Sequence, residues 1–547
     1  MMDTIQVRHK NRSKWRDLAG WNYYFLVKFA LLWYGYLNFH PFANLVFLAF
    51  LLFPMPSLFF HRCRNWIAFP IGLALFYHDT WLPGISSILS QGTNLFSFSS
   101  TYILELFSRL INWQIIGTAF VLLVFYLFFS QWIRITTLTV IALIWLNIIA
   151  IGSPVINFIP EKKNLILDRN QSVVAQNTQK SELSSNLPPT NDNLNAYLNT
   201  FYEQQKKLHT VFPNTLAADA QPFDVIFIQI CSLAWSDIDS VHLREHPIWN
   251  KFDIIFNEFN SAASYSGPAA IRLLRASCGQ EPHDELYKPV AKDCYILENL
   301  AKLGFSPEMM LDHDGTFGDF LKEVQQNGGL QQIPLIPRTG ITPDLVAFNG
   351  QLLSDDGQLL SRWVNQNSSV TKRNATYFNE ISLHDGNSYI GQHQPAPDSA
   401  RLQKLLNQTD NFFAELEKSG RKTLVIFIPE HGANLVGDKL QMPGLRDIPS
   451  PSITHVPVGI KIIGMKSKPV NGQIKINTPS SYLAISELIA RLVDGKIFNQ
   501  VDANLEDITK NLPETAAVSS NEGVTVMKYQ DKYYILLKGD SNWVPYY

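Results

Sequence analysis

Five long apolar stretches dominate the first third of the chain, at roughly 21–39, 43–60, 65–83, 112–131 and 135–158. Each approaches the about 20 residues that a helix needs to cross a bilayer. Pro54, Pro56 and Pro70 interrupt the second and third, so the ends of those two are the least defined. So many apolar stretches in one segment predict a transmembrane domain of five helices over residues 1–160 rather than core helices of a soluble protein. Between the third and fourth, residues 102–111 carry an apolar helical face with Glu105 and Arg109 opposite. That segment reads either as a helix lying along the membrane surface or as a plain connector.

The pattern then changes twice. Residues 161–195 are dominated by Asn, Gln, Ser, Thr, Lys and Pro and offer little to bury, which predicts a flexible linker. From 196 to 547, short β-rich runs alternate with helical ones. Strands are expected at Phe223–Ile230, Arg421–Ile428 and Val456–Ile463, with an amphipathic helix at 399–418. The alternation predicts an α/β domain with a mainly parallel central sheet, whose ligands bind beyond the carboxyl ends of the strands. Val524–Tyr529 and Lys532–Lys538 flank Gln530-Asp531 as a C-terminal hairpin.

Charge orients the membrane half. Arg8, Lys10, Arg12, Lys14 and Arg16 precede the first apolar stretch, Arg62 and Arg64 follow the second, and Arg134 separates the last two. The loop at His40-Pro41 has no Lys or Arg. Basic residues stay on the cytoplasmic side, so the N-terminus is cytoplasmic and everything after 160 faces outward. The first stretch lacks a small-residue cleavage site, and no cleavable signal peptide is expected. A net charge of -2 over 547 residues gives no reason to expect a nucleic-acid partner.

Four cysteines are too few for a disulfide scaffold. In this topology Cys63 is cytoplasmic, while Cys231, Cys278 and Cys294 face an oxidising compartment. Cys278 and Cys294 enclose a short polar loop and make the natural pair, worth about 3 kcal/mol in the loop-entropy description. Cys231 is left as either a buried thiol or a metal ligand.

Candidate chemistry sits at the strand ends. The first strand runs into Cys231-Ser232 and the second into Glu430-His431-Gly432. Thiolate, carboxylate and imidazole suit zinc, although the dipeptide Glu430-His431 taken alone reads as a surface loop pair. Ser266 lies just before Pro268, which favours the first turn of a helix. Its hydroxyl either caps that helix or faces the positive helix end, where phosphate oxygens are favoured. Bound to zinc, it would become a nucleophile. His384, His393, His283, His313 and Arg446 are further polar candidates that spacing alone leaves as loop residues.

The strings INWQ, SQWIRIT, FNSAASYSGPAAIRLLRASCGQ, LHDGN, PEHG and GLRDIPSPSIT resemble the cellulose phosphoethanolamine transferases encoded with enterobacterial cellulose synthase genes. These belong to the membrane phosphoethanolamine transferases of the alkaline-phosphatase-like superfamily. The resemblance runs from Trp21 to Pro545, except in the linker. It implies a bacterial inner-membrane protein with a periplasmic, alkaline-phosphatase/sulfatase-like catalytic domain. It further implies zinc held by Cys231, Ser266, Glu430 and His431, with Ser266 carrying a covalent phosphoethanolamine. Tyr265, His384 and Arg446 match positions lining the family's site, and Cys278–Cys294 matches a family disulfide. Phosphatidylethanolamine is the implied donor, cellulose the acceptor, and cellulose synthase subunits the partners. The lipid A transferases differ, with a carboxylate, a threonine and an aspartate where Cys231, Ser266 and Glu430 stand. Rival readings are a phosphoglycerol transferase or head-group hydrolase on the same scaffold, and a non-catalytic assembly subunit of the secretion complex.

Overall fold

A computed structural model describes residues 18, 20–55, 57–81, 103, 113–152, 187–366, 372–467, 470–501 and 503–546. The chain divides into two compact units, residues 1–82 with 111–166, and residues 83–110 with 167–547. The basic residues before the first helix, nearly all of segment 102–111 and the linker up to 186 lie outside the described residues.

In the first unit each apolar stretch forms a helix: Trp21–Trp33, Pro41–Leu52, Leu58–His78, Trp113–Phe129 and Ile135–Gly152. Four are shorter than the hydropathy predicts, while the third begins earlier than expected, so Arg62, Arg64 and Pro70 lie within that helix rather than in a loop or at a break. Pro54 and its neighbours stop the second helix, since the residue before a proline avoids helical geometry. No helix among the described residues is both long and apolar enough to cross a membrane. Phe25, Phe47, Leu48, Leu51, Ala68 and Leu143 pack together, while Trp33, Trp66, Trp113 and Trp132 are more than three-quarters exposed or close to it. Lys28 is buried against Asp79 and Asn44.

The second unit is built on a seven-stranded sheet. In chain order its strands are β1 (Asp224–Ile230), β2 (Ile254–Asn260), β3 (Ser306–Leu311), β6 (Asn374–Glu380), β8 (Thr423–Pro429), β9 (His455–Ile463) and β10 (Ile474–Ile476). Two small sheets supply the remaining numbers: β4 (Pro343–Val346), β5 (Leu352–Ser354) and β7 (Ser388–Tyr389) in one, and β11 (Val518–Ser520), β12 (Val524–Tyr529), β13 (Lys532–Leu537) and β14 (Val544–Tyr546) in the other. The large sheet is ordered β10-β2-β9-β8-β1-β6-β3.

β8, β1, β6 and β3 are mutually parallel. β9 runs antiparallel to both β8 and β2, so β2 and its parallel neighbour β10 share the direction of β8. The predicted mainly parallel sheet is present, and the predicted strand at Val456–Ile463 is its one reversed member. An apolar run does not encode direction. The segment joining β8 to β9 contains no crossover helix beyond Pro451–Thr454, and adjacent strands joined that way pair antiparallel.

β1 is buried along its whole length, as expected of a strand covered on both faces. Val225 and Phe227 enter one core while Ile226, Ile228 and Ile230 enter the other. Each such side chain contributes about 2 kcal/mol by leaving water. The helix expected at 399–418 spans Asp398–Ser419, buries Leu402, Leu405, Leu406, Phe412, Phe413 and Leu416, and ends at Gly420 in the left-handed conformation. Gly420 relieves the steric cost of that turn.

The C-terminal hairpin forms as expected, with Gln530 at positive φ in its turn. Its sheet packs Met527, Tyr529, Tyr534 and Trp543 against Leu194 and Phe201. Those two belong to helix Asn191–Gln205, which Thr190 caps by accepting from the Asn193 amide. Cys278 and Cys294 are bonded.

Candidate metal centre

The carboxyl ends of β1 and β8 are tied together beyond their last paired residues. The Glu430 amide donates to the Ile230 carbonyl at 2.8 Å and the Leu233 amide to the His431 carbonyl at 2.6 Å. Cys231, one residue past β1, donates its amide to the Glu380 carbonyl at the end of β6. Three neighbouring strands therefore fix where the Cys231, Glu430 and His431 side chains begin. All three residues are fully buried, and each offers one ligand atom lying within 4.8 Å of the others.

Ser266 arrives from a different element. It is the first residue of helix Ser266–Leu274, and the cap position is held by Tyr265 without a side-chain cap bond. Capping is thus not the role of the Ser266 hydroxyl. Its Oγ lies 3.4 Å from Cys231 Sγ and 3.5 Å from His431 Nε2, at the positive end of that helix. Cys231 Sγ is 3.9 Å from His431 Nε2.

The donor set has the polarity a divalent cation needs. His431 Nδ1 lies 3.0 Å from the Gly432 carbonyl; donating there leaves the Nε2 lone pair toward Ser266 and Cys231. Glu430 Oε1 accepts from Asn379 Nδ2 at 2.6 Å, while the buried Oε2 has no hydrogen-bond partner among the described residues. An orphaned carboxylate oxygen beside a thiol and an imidazole nitrogen fits a bound cation. Protein atoms alone oppose the charged forms: burial and Glu430 push the Cys231 thiol up to about 12. Burial likewise raises Glu430, and burial with Arg446 lowers His431. A metal ion inverts that local logic and deprotonates a coordinating thiol. The residues present fit zinc by softness and number.

Arg446 lies along one side. Nη1 donates to Ser232 Oγ at 3.1 Å and is 3.3 Å from His431 Nδ1, and Nη2 donates to His384 Nε2 at 3.3 Å. His384 stacks on Phe348 at 3.9 Å, and its Nδ1 donates to the Asp385 carbonyl at 2.8 Å. Burial and Arg446 bring its pKa down to about 3, so it is a neutral acceptor holding the guanidinium. The Tyr265 hydroxyl donates to Asp447. The structure thus gathers Cys231, Ser266, Glu430, His431, Arg446 and His384 by direct contacts and ties Tyr265 to the Arg446 segment. His393 is exposed, and His283 contacts Tyr287.

His313, one of the polar candidates of the sequence, has a supporting part in this geometry, while Asn379, Asp237 and the backbone state of Ser232 escape sequence reasoning. His313 Nδ1 accepts from the Gly315 amide, so its Nε2–H donates to Asn379 Oδ1 at 3.0 Å and sets which end of that amide faces Glu430. Ser232 holds a left-handed backbone, φ 69°, a strained state for a residue with a Cβ. Buried Asp237 accepts from the amides of Ala234 at 2.9 Å, Ala433 at 2.8 Å and Leu435 at 3.1 Å. It bridges the loops after β1 and β8. Gly432 is required beside it, because a Cβ there would lie 2.6 Å from Ala234 Cβ and 2.7 Å from Asp237 Oδ2. No local pattern marks these positions, whose partners are mostly distant in sequence.

Residues 178–543 match the family described as the cellulose biosynthesis protein BcsG C-terminal domain, and residues 21–148 match the BcsG N-terminal domain. The chain is 52% identical over 542 residues to a cellulose biosynthesis protein BcsG of Salmonella typhimurium, covering 97% of each chain. It is 51% identical to the Escherichia coli K12 protein of the same description, again over 97% of each. Among solved structures, the integral membrane protein lipooligosaccharide phosphoethanolamine transferase A of Neisseria meningitidis is 12% identical with a TM-score of 0.39, covering 86% of this chain and 95% of that one.

Proposed function

We propose, from the premise that the chain belongs to the BcsG family of cellulose biosynthesis proteins, that it transfers phosphoethanolamine from phosphatidylethanolamine to hydroxyls of cellulose through Ser266. The observation carrying this reading is the convergence of Cys231, Glu430 and His431 on the Ser266 hydroxyl, with Arg446 alongside. Zinc held by those three residues and Ser266 would supply the charge that lets the hydroxyl lose its proton at neutral pH.

In the first step Ser266 Oγ forms a bond to phosphorus, the phosphorus–oxygen bond to diacylglycerol breaks, and the glycerol oxygen takes up a proton. In the second the oxygen of a glucan hydroxyl bonds to the same phosphorus, the Ser266 Oγ–phosphorus bond breaks, and the proton lost by that hydroxyl is balanced by the one Ser266 Oγ regains. Arg446 suits the clamping of phosphate oxygens because its planar donors spread charge over two of them. His384 positions that guanidinium, and the Tyr265–Asp447 contact holds the segment bearing it.

Both substrates constrain where the protein works. The reading has residues 1–160 anchor the chain in the inner membrane with the N-terminus cytoplasmic, 161–195 act as a tether, and 196–547 catalyse in the periplasm beside lipid donor and synthase subunits. The apolar stretches, the charge of their loops and the exposed tryptophans of the first unit support the anchorage. Mass spectrometry of the full-length protein after incubation with phosphatidylethanolamine tests the chemistry. The Ser266 peptide is expected to gain one phosphoethanolamine, absent from Ser266→Ala. An unmodified Ser266 in zinc-loaded wild type, or normal cellulose modification by Ser266→Ala in cells, refutes it.

A further inference from the structure

A groove of about 330 Å3 lies between the C-terminal sheet and the ends of β2 and β9, and its lining includes Tyr197, Glu258, Thr515, Lys528, Gln530 and Tyr533. Lys528 and Tyr533 stand opposite each other in the β12–β13 ladder, so both project from one face of that sheet. Met527 and Tyr534, on the opposite face, pack against helix Asn191–Gln205. The facing wall comes from Glu258, Phe259 and Asn260 at the end of β2 and from Thr454 and His455 where β9 begins.

Reversal of β9 puts its beginning at the same sheet edge as the carboxyl ends of β2, β8 and β1. The groove therefore lies on the edge that carries Cys231, Glu430 and His431. Three strand-to-strand steps separate β1 from β2, about 14 Å at the usual spacing of about 4.8 Å. Pro449 and Pro451 on the groove's rim belong to the segment that carries Arg446.

We propose that this groove is the acceptor subsite and holds an extended, uncharged β-linked glucan chain; the assignment rests on the transfer reading above. Tyrosine rings present the flat apolar faces on which sugar C–H faces rest, with a polar tip at the edge. Sugar hydroxyls need donors and acceptors in alternation, and the lining offers a carboxylate, an ammonium, a carboxamide and a hydroxyl. The buried Thr515 hydroxyl has no hydrogen-bond partner among the described residues. A single carboxylate and a single ammonium group line the groove, so no field of one sign favours a polyanionic chain.

Binding of cellohexaose to the full-length protein in detergent, measured calorimetrically, tests the assignment. Tyr533→Ala and Glu258→Ala are each expected to weaken binding at least tenfold, and maltohexaose, whose α-linkage coils the chain, to bind at least tenfold more weakly than cellohexaose. Equal cellohexaose affinity in wild type and both variants, or equal affinity for the two sugars, overturns it. Glu258 is exposed, so that variant decides the matter should Tyr533→Ala fail to fold. The lipid arm separates the two readings. Wild type that modifies Ser266 yet binds cellohexaose indifferently to these residues sinks the groove alone. Wild type that binds through them without modifying Ser266 sinks the transfer reaction.

Discussion

Replacing Asp237 with alanine removes the acceptor shared by the amides of Ala234, Ala433 and Leu435. A buried N–H deprived of its partner costs about 1–3 kcal/mol, so the three together cost about 3–9 kcal/mol before the loops relax. Burial works in the opposite direction, lifting the Asp237 carboxyl from 3.8 to about 6 in spite of those donors. That rise is an ionisation cost of about 3 kcal/mol at pH 7, which the variant escapes. The net expected loss at pH 7 is about 3 kcal/mol. The sign with pH follows from the direction of the shift. A carboxyl raised on folding is protonated more readily in the native state, so its penalty is absent below about pH 4, grows from about 4 to 6 and is constant above. The wild type therefore gives up stability across that window and Asp237→Ala does not, making their gap widest near pH 4. Urea unfolding of the full-length protein, followed by tryptophan fluorescence at both ends of the window, measures it. A gap below about 1 kcal/mol at both pH values, or one that widens as pH rises, refutes the argument that this carboxylate braces the two loops.

Asn379→Leu leaves Glu430 Oε1 without its donor, and zinc affinity measured by chelator competition is expected to fall about 10- to 100-fold; unchanged affinity contradicts the His313–Asn379–Glu430 chain. Arg446→Lys keeps the charge but loses the planar fork joining Ser232 and His384, so kcat/KM for lipid-dependent transfer should drop at least tenfold with little change in Tm. Paired Cys278→Ser and Cys294→Ser substitutions should cost about 3 kcal/mol by freeing the unfolded chain, read as a lowered urea midpoint with wild-type zinc content. An unchanged midpoint excludes that contribution.

Elements with a long apolar run or a regular apolar–polar repeat were legible, whereas β6 was not: it is buried along its whole length, but Asn374, Thr376, Asn379 and Glu380 break up its apolar run. β1, β8, the helix Asp398–Ser419 and the hairpin lie within a few residues of where periodicity puts them. β4, β5 and β7 were not, because strands of two to four residues carry too short a pattern to register. The direction of β9 was hidden for a different reason: direction depends on the path of the chain between strands. At the site, Cys231 and Glu430-His431 could be placed at strand ends, but spacing alone left them ambiguous, and their joint role came from family resemblance. Asp237 and Asn379 gave no signal, since an Asp or Asn is read as turn-forming until its distant partners are known. Ser266 shows the same limit in reverse, for the local rule nominates a cap and tertiary contacts assign the hydroxyl elsewhere.

The reversal of β9 has a consequence for how such a site changes over time. Because β8 and β9 are antiparallel neighbours, the chain between them leaves and re-enters the sheet at one edge and never has to return around the core. Residues 430–454 form an excursion from one sheet edge rather than a structural crossover. Within that single excursion lie His431, Arg446 and the rim prolines of the groove. Lengthening or exchanging its exposed and half-buried middle, around 436–440, spares the Leu435 bond to Asp237 and the buried Gln441, so loop length there can change without a change of strand register. Chimeras that graft this segment between related enzymes should accordingly fold far more often than grafts of comparable length between β1 and β2.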